Sequence, residues 1–459
     1  MLSQLLMPEI KSLLEKRQLS ILKNILEDWT PADIAELFNF LDEKEKVILF
    51  RLLHTEIAAD TFEYLDFDNQ VELLKSMGNE EVANILNEMD PDDRTALFEE
   101  LPASAAKQLI QLLSPDERKI ALSLLGYPEN SVGRLMTPDY VAVKPDWTIK
   151  EALDYIREHG KNKETLNVVY VVDDKGKLID DIKIREFLLA PLETKVIDLM
   201  DENFVAVNVF DDQETTVSVL KKYDRVALPV VDNAGILLGI VTVDDIMDVA
   251  EEETTEDIQK QAAVGVLEEP YSDISIFNMI KKRVGWLSIL FVGQMFTATA
   301  MAHFEEAIEK AVVLALFVPL IISSGGNSGS QAASLVVRAM ALGEITLKDW
   351  LKVFKRELLT GLSLGIILAL IGFIRFTIFP APTSGFEKYW IKISLTVSFA
   401  LVGVVLWGTL IGSMLPFLMK RLNFDPAASS TPFVATMVDV TGIIIYFSLA
   451  MFLLKDLII

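Results

Sequence analysis

Residues Pro432–Gly442 read PFVATMVDVTG, and Asp439 is the only charged residue among them. The segment lies in an apolar run from Pro426 to Leu454, which is long enough to cross a bilayer as a helix and holds no other charge. A carboxylate at that depth costs about 2.5 kcal/mol or more on insertion scales, so polar residues kept there are usually functional. The segment therefore predicts a membrane helix whose aspartate lies on an ion pathway. The alternative is a structural carboxyl that is protonated or hydrogen-bonded.

Apolar stretches without charge recur before this one, and together they predict five spanning helices. The stretches are 284–302, 311–337, 358–374, 393–419 and 426–454, and the third is short enough that we expect it to continue to Phe379. Basic residues fall in alternate connections: Lys281, Lys282, Arg283, Arg338, Lys348, Lys352, Lys355, Arg356, Lys420 and Arg421. The other connections carry Glu305, Glu306 and Glu309, or a mixture that includes Glu387. The positive-inside rule then places the N-terminal half in the cytosol and the C-terminus outside.

The second predicted helix contains Gly325–Gln331, with the sequence GGNSGSQ. We expect this run to interrupt the helix. Its glycines allow backbones to approach closely, and its hydroxyls and amides suit the lining of a wet path. Packing alone is the alternative, but an asparagine and a glutamine so near the bilayer middle favour a pore.

Charge divides the chain into two halves. Residues 1–270 carry a net charge of −29, and residues 271–459 carry +4. An acidic region of this kind repels nucleic acid and anionic lipid headgroups and attracts multivalent cations, although solubility alone also accounts for it. The chain has no cysteine, and its three histidines are far apart in sequence. Any metal is therefore expected to have oxygen ligands, which suits Mg²⁺ or Ca²⁺.

The acidic half contains two regions with different sequence patterns. Residues 1–130 show apolar spacing of three and four, with helix starts at Thr30-Pro31, Asp90-Pro91 and Ser114-Pro115, and predict helical hairpins stacked as a superhelix. Residues 131–245 alternate strands and helices. Their predicted strands, Val168–Val172 and Ala227–Val231, each precede a turn and follow an amphipathic helix, at 149–158 and 214–222.

These two units resemble a tandem pair of CBS modules. The second contains Gly239–Asp245, GIVTVDD, which fits a family motif that binds adenosine ribose in many members. The first has Asp180–Glu186, DDIKIRE, where the motif's glycine and hydroxyl are expected, so its sequence argues against a nucleotide site there. Residues 246–275 follow as an acidic linking helix, whose carboxylates form either a solvated face or a surface that cations neutralise.

The whole order resembles the MgtE family of magnesium channels, on the strength of the GGNSGSQ run and the PFVATMVDVTG run. The resemblance implies a multidomain fold: an all-α superhelical N-domain (1–130), an α/β tandem CBS pair (131–245), a linking or plug helix (246–275) and an α-helical transmembrane domain of five helices (276–459). It further implies a homodimer with one central pore, in which Mg²⁺ passes down its gradient and the pore closes when cytosolic Mg²⁺ binds between the soluble domains.

Site residues follow from the same resemblance. The expected pore ligands, acting on a largely hydrated Mg²⁺, are Asp439, Asn327 and the carbonyl oxygen near Ala435. The expected regulatory metal ligands are Asp90, Asp93, Asp212, Glu214, Asp224, Asp245, Asp248, Glu253, Glu256 and Asp257. Where the family can have an aromatic residue that stacks on ATP, this chain has Arg225, which argues against nucleotide modulation.

Other functions remain open at this level. A channel for another divalent ion, such as Co²⁺ or Mn²⁺, has the same architecture. A non-transporting membrane sensor of Mg²⁺ would leave the pore motif unexplained, and a cation-coupled carrier would need a second intramembrane ionisable site. The sequence shows no nucleophile–base or phosphate-loop pattern, so we do not expect an enzyme.

Overall fold

The computed structural model describes residues 2–267, 271, 272, 274–378 and 389–455. The chain separates into two compact units, Met1–Ala250 and Glu251–Ile459. The expected helix end at Phe379 and the loop residue Glu387 lie outside the described residues, as do parts of the predicted linking segment.

The first part of unit 1 is all-helical, as predicted. Its helices are α1 (Leu2–Glu15), α2 (Leu19–Leu26), α3 (Pro31–Phe38), α4 (Glu43–Phe50), α5 (Thr55–Glu63), α6 (Phe67–Ser76), α7 (Asn79–Glu88), α8 (Pro91–Glu100), α9 (Ala103–Ile110) and α10 (Pro115–Leu124). Each of these helices is short, and the apolar faces of neighbouring helices meet in one core. In that core Phe50 contacts Phe38 and Phe62 edge to face, with ring centroids 6.2 Å apart in both pairs.

The second part of unit 1 holds two similar modules, each with a three-stranded sheet. The first contains α11 (Val132–Leu135), β1 (Ala142–Val143), α12 (Ile149–His159), β2 (Val168–Val172), β3 (Leu178–Lys183) and α13 (Ile184–Leu189). The second contains β4 (Val207–Asn208), α14 (Gln213–Tyr223), β5 (Ala227–Val231), β6 (Leu237–Thr242) and the start of α15 (Val243–Gln261). In each sheet the first strand pairs parallel and the last antiparallel with the central strand, which is one of the two strands predicted from sequence.

The two modules meet at their tight turns. Leu237 N–H donates to the Gly176 carbonyl and Leu178 N–H donates to the Gly235 carbonyl, both at 3.0 Å. Gly176 and Gly235 have φ angles of +81° and +79°, a region that favours glycine. The repeated Asp-x-x-Gly turn of the sequence therefore has a second role, because it places backbone groups where the modules pair.

Unit 2 contains the predicted membrane helices. Its long helices are α16 (Ile276–His303), α18 (Val318–Ala341), α19 (Trp350–Ile378), α20 (Trp390–Arg421) and α21 (Thr431–Leu453), and a short helix, α17 (Glu305–Lys310), follows the first. Among the described residues, five helices are long and apolar enough to cross a membrane. Tyr446 in α21 is fully buried and donates its hydroxyl to the Leu314 carbonyl at 2.9 Å.

The expected interruption of the second membrane helix is wrong, because α18 continues through Gly325–Gln331. A Cβ at Gly408 would lie 2.3 Å from the Gly325 carbonyl oxygen, and one at Gly412 would lie 2.0 Å from the Gly329 carbonyl oxygen. The glycines of α18 and α20 therefore bring the two backbones into contact. The low helix propensity of glycine is overridden, because an apolar environment requires the backbone to satisfy its own hydrogen bonds and the close contact stabilises the pair.

We predict that Gly412→Ala destabilises unit 2, since the added methyl meets backbone atoms that cannot rotate away. Overpacking of this kind costs about 1–3 kcal/mol. The thermal midpoint of the purified protein in detergent should fall. Gly285→Ala is the matched control, because a Cβ there meets nothing within 4 Å. Equal midpoints for the two variants would contradict this account of the helix contact.

Candidate functional site

A cluster of carboxylates lies at the end of α5 and the start of α8. Oxygen atoms of Glu63, Asp90 and Asp93 all lie within 4.8 Å of one another. Glu63 also accepts the backbone N–H of Asp90 at 2.8 Å. Glu63 is half-buried, whereas Asp90 and Asp93 reach solvent, so an ion can enter the cluster. Mg²⁺ is commonly bound by one or two carboxylates that leave it several waters, and this donor set fits such an ion.

The Asp90 loop is held by a buried cation. Arg94 is fully buried and donates to the Leu86 carbonyl at 2.8 Å and to Glu117 at 2.5 Å. Asp90 occupies the N-cap position of α8 without accepting a capping hydrogen bond, whereas Thr30 and Ser114 cap their helices. The residue that starts α8 therefore keeps its carboxylate available to the cluster instead of satisfying the helix end.

Repulsion and burial shift these carboxyl groups strongly. Burial, followed by the neighbouring Asp93 carboxylate, raises the pKa of Glu63 to about 8. Burial and Asp90 raise the pKa of Asp93 to about 6, and burial and Asp139 raise that of Asp90. Such shifts show that the packed arrangement disfavours negative charge unless a proton or a cation neutralises it.

Carboxylates from the CBS modules act on the same cluster. Burial and Asp90 raise the pKa of Glu164 to about 8. Burial raises the pKa of Asp245 to about 7, although the Thr242 hydroxyl donates to it at 2.9 Å. Asp92 is buried with one carboxylate oxygen lacking a hydrogen-bond partner among the described residues, and burial and Asp245 raise its pKa. Acids of the helical region and of the CBS pair therefore face each other within unit 1.

The structure brings together only part of the predicted regulatory set. Asp90, Asp93, Asp245 and Asp248 belong to this region, since Asp248 raises the pKa of Asp93. Asp212 instead caps α14 by accepting the Glu214 N–H at 3.0 Å, and Asp224 ends α14 with a positive φ. Glu63, Asp92, Glu164 and Asp244 were missed, because their spacing in the sequence forms no metal-binding motif and only the tertiary fold joins them. Asp244 belongs to this set because its carboxylate raises the pKa of Asp93 and Glu164.

The later part of α15 carries the other predicted acids. Lys260 contacts Glu256 and also donates to Asp425 at 2.7 Å. Burial and the Asp425 carboxylate raise the pKa of Asp257, and Glu253 and Glu256 contribute to that shift. The ammonium group of Lys260 thus already neutralises part of this second acidic region, and Asp425 caps the short 3₁₀ turn Pro426–Ala428 that precedes α21.

Two residues that depart from the expected nucleotide-binding pattern contact one another. Arg225 of the second module donates to Asp181 of the first at 2.9 Å, and Asp181 is nearly fully buried. Burial, opposed by the Arg225 guanidinium, raises the pKa of Asp181 to about 6. Tyr170 is buried close to this ion pair, and no partner of its hydroxyl is found in the described part of the chain. The pair therefore satisfies charged groups where the resemblance implied an aromatic contact to a nucleotide.

A cavity of about 480 Å³ in unit 2 brings the predicted pore residues together. Asp439, Asn327 and Ala435 all line it, although they come from different helices or different turns. Other lining side chains are Thr297, Val318, Pro319, Ile322, Ser323, Ser330, Thr431, Pro432 and Ile443. Gly326, from the GGNSGSQ run, also lines it, so this run serves both the helix contact and the cavity.

One partner of Asp439 was not predicted. Gln294 of α16 donates its amide Nε2–H to Asp439 Oδ2 at 2.6 Å. The signal in the sequence was a polar amide within the charge-free stretch 284–302, where a membrane helix rarely keeps such a group without a partner.

Comparison with known proteins assigns families to three regions of the chain. Residues 318–449 match the MgtE family, described as a divalent cation transporter. Residues 29–130 match the MgtE intracellular N domain, and residues 132–193 and 196–252 match CBS domains. The magnesium transporter MgtE of Thermus thermophilus is 40% identical over 338 residues, which cover 72% of each chain. The magnesium transporter MgtE of Enterococcus faecalis is 33% identical over 71% of this chain and 70% of its own.

Solved structures match the soluble half. The cytosolic domain of the Mg²⁺ channel MgtE in complex with ATP is 32% identical, with a TM-score of 0.51, and the match covers 53% of this chain and 99% of that one. The soluble part of a magnesium transporter is 29% identical, with a TM-score of 0.52, and the match covers 55% of this chain and 99% of that one. A helical N-domain, a CBS pair and five apolar helices place the chain in a class of membrane proteins described as divalent cation transporters. The chain belongs to the MgtE family of magnesium transporters.

We predict that the soluble half is more stable at pH 6 than at pH 8 when Mg²⁺ is absent. The packed state raises the pKa of Glu63 and Glu164 to about 8 and that of Asp245 to about 7. The packed state therefore binds protons more tightly than a separated state does. The stability that this proton binding gives the packed state is lost as the pH rises through about 8. Protease protection of the full-length protein in EDTA should fall from pH 6 to pH 8.

The double variant Glu63→Gln and Glu164→Gln should show a weaker pH dependence of this protection. The matched control is Glu80→Gln, which changes an exposed acid of α7 and should leave the pH dependence as in the wild type. Added Mg²⁺ should restore more protection at pH 8 than at pH 6, because protons and the cation compete for the same carboxylates. Protection that does not vary with pH in the wild type would show that the cluster is not repulsive.

Proposed function

We propose that this protein is a Mg²⁺-selective membrane channel or transporter that mediates magnesium uptake. The observation that carries the proposal is the cavity that joins Asp439, Asn327 and Ala435 within the five-helix unit. Membership of a family whose relatives are named magnesium transporters supports the choice of ion.

The cavity suits an ion that keeps most of its water. Mg²⁺ loses its hydration shell reluctantly, and the waters of that shell present hydrogens to acceptors. Asp439 supplies a negative charge, and the Asn327 amide oxygen and a carbonyl oxygen at Ala435 supply neutral acceptors. In a homodimer, which the family resemblance implies, two such carboxylates on one axis would favour a divalent over a monovalent cation.

The acidic soluble half is proposed to close the pore when cytosolic Mg²⁺ binds. Without a cation the carboxylates around Asp93 and Asp245 repel one another, and Mg²⁺ would stabilise the packed state by its higher affinity for that state. The predicted ligands that lie elsewhere, Asp212, Glu214 and Asp224, are proposed as contacts for the same ion in another arrangement of the soluble halves.

Topology and domain limits belong to the same proposal. Basic connections favour a cytosolic N-terminal half and an external C-terminus. The domain boundaries after residues 130, 245 and 275 stay predictions. The relative solved with ATP binds a nucleotide, whereas the Arg225–Asp181 pair favours a CBS cleft in this chain that works without one.

We expect Asp439→Ala to abolish Mg²⁺ flux in liposomes while the protein still inserts and dimerises. Asp439→Asn should be nearly as damaging, because a hydrated divalent ion needs the charge more than the hydrogen bond. Asn327→Ala should reduce the flux, whereas Ser324→Ala, whose hydroxyl donates to its own helix at Leu320, should not. Normal Mg²⁺ conductance and selectivity in Asp439→Ala would refute the assignment. Competition by Co²⁺ and Mn²⁺ in the same assay decides which divalent ion is preferred.

We expect the triple variant Asp245→Asn, Asp248→Asn and Glu256→Gln to need more Mg²⁺ for closure. Loss of ligands removes part of the preference of the ion for the packed state. Protection of the soluble half from protease should shift to higher Mg²⁺ concentration or vanish, and the Glu80→Gln control should match the wild type. Superimposable protection curves for the triple variant and the wild type would show that these acids are only a solvated face.

A further inference from the structure

The first membrane helix, α16, directs two polar side chains toward the cavity of unit 2. Gln294 donates to Asp439 Oδ2 at 2.6 Å, and it is the only side chain that contacts Asp439 by a hydrogen bond among the described residues. Thr297 lines the same cavity. Its hydroxyl oxygen is shielded from solvent and has no hydrogen-bond partner in the described part of the chain. Residues three apart lie on one face of a helix, so both groups point the same way.

A close contact between Gly293 and a threonine side chain holds α16 against α21 at this level. A Cβ at Gly293 would lie 2.6 Å from the Thr436 Cγ2 atom of α21, so glycine is what allows α16 to approach at this level. Along the rest of α16 no residue is fully buried within unit 2. A helix that is otherwise apolar and exposed thus meets α21 beside Asp439, at the place where its amide and hydroxyl are found.

We propose that α16 completes the ion site, with Gln294 as the residue that positions the Asp439 carboxylate and Thr297 as an acceptor for a water of the hydrated ion. This inference rests on the proposed function. The amide takes one acceptor position on Oδ2 and leaves Oδ1 to accept from the hydration shell. Since glutamine is neutral, it orients Asp439 without adding charge to the site.

Ion specificity follows from this arrangement. Ca²⁺ readily exchanges its waters for carboxylates and often takes both oxygens of one group, whereas Mg²⁺ keeps several waters and needs single oxygens. A carboxylate whose Oδ2 already accepts from Gln294 is less available for binding through both oxygens, while its Oδ1 stays open for a single-oxygen contact. Gln294 therefore disfavours Ca²⁺ and leaves the hydrated Mg²⁺ ion its ligand.

The test compares Mg²⁺ and Ca²⁺ flux through the full-length protein in liposomes. Gln294→Met keeps the length of the side chain and removes the amide, and Gln294→Leu serves if the Met variant inserts poorly. The ratio of Mg²⁺ to Ca²⁺ flux should fall roughly tenfold, which corresponds to the loss of one hydrogen bond to a charged group. A purely structural role of Gln294 would scale both fluxes equally and leave their ratio unchanged.

Thr297→Val removes the hydroxyl at constant shape and should raise the half-saturating Mg²⁺ concentration several-fold. Thr299→Val is its matched control, because the Thr299 hydroxyl donates to the Met295 carbonyl of its own helix. A wild-type flux ratio in both Gln294 variants overturns the inference if Asp439→Asn still blocks flux, and the proposed function then survives. Normal flux in Asp439→Asn overturns both.

Discussion

The Asp439 carboxylate needs stabilising partners inside a helix bundle that offers few polar groups. Its helix carries no other charge between 426 and 454, so the stabilising groups come from other helices. Gln294 provides a hydrogen bond and Asn327 shares the cavity. The close glycine contacts of α18 with α20 and of α16 with α21 place these helices where the polar groups can meet. Close packing of these helices therefore lets the carboxylate meet its polar neighbours.

The soluble half meets the opposite problem, because it has too many carboxylates. Folding unit 1 brings Glu63, Asp93, Glu164 and Asp245 near one another, and burial together with neighbouring carboxylates raises the pKa of each of them. A proton and a divalent cation relieve the same repulsion, but only the cation can bridge several carboxylates at neutral pH. The cation-dependent packing that we propose therefore needs no specialised cage.

The features that could be predicted from sequence alone are those that local residue patterns determine. Apolar runs located the five membrane helices, and the strands at Val168 and Ala227 follow from β-branched residues between turns. The interruption of α18 was wrong, because glycine propensity is a local property and helix contact is not. Glu63 and Gln294 were missed for the same reason. Each lies far along the chain from the groups it meets, and neither has a spacing that marks it.

The two ends of α15 differ in how their charge is balanced. Near Asp245 the groups that act most on its pKa are the Asp244 and Asp93 carboxylates and Thr242, and none of these is a cation. Near Glu256 the chain supplies its own cation, since Lys260 contacts both Glu256 and Asp425. A bound Mg²⁺ would have to displace this ammonium group at the second end but not at the first. The sensitivity to cations that we propose therefore resides mainly at the N-terminal end of α15, while Lys260 keeps the other end joined to the turn that leads into α21.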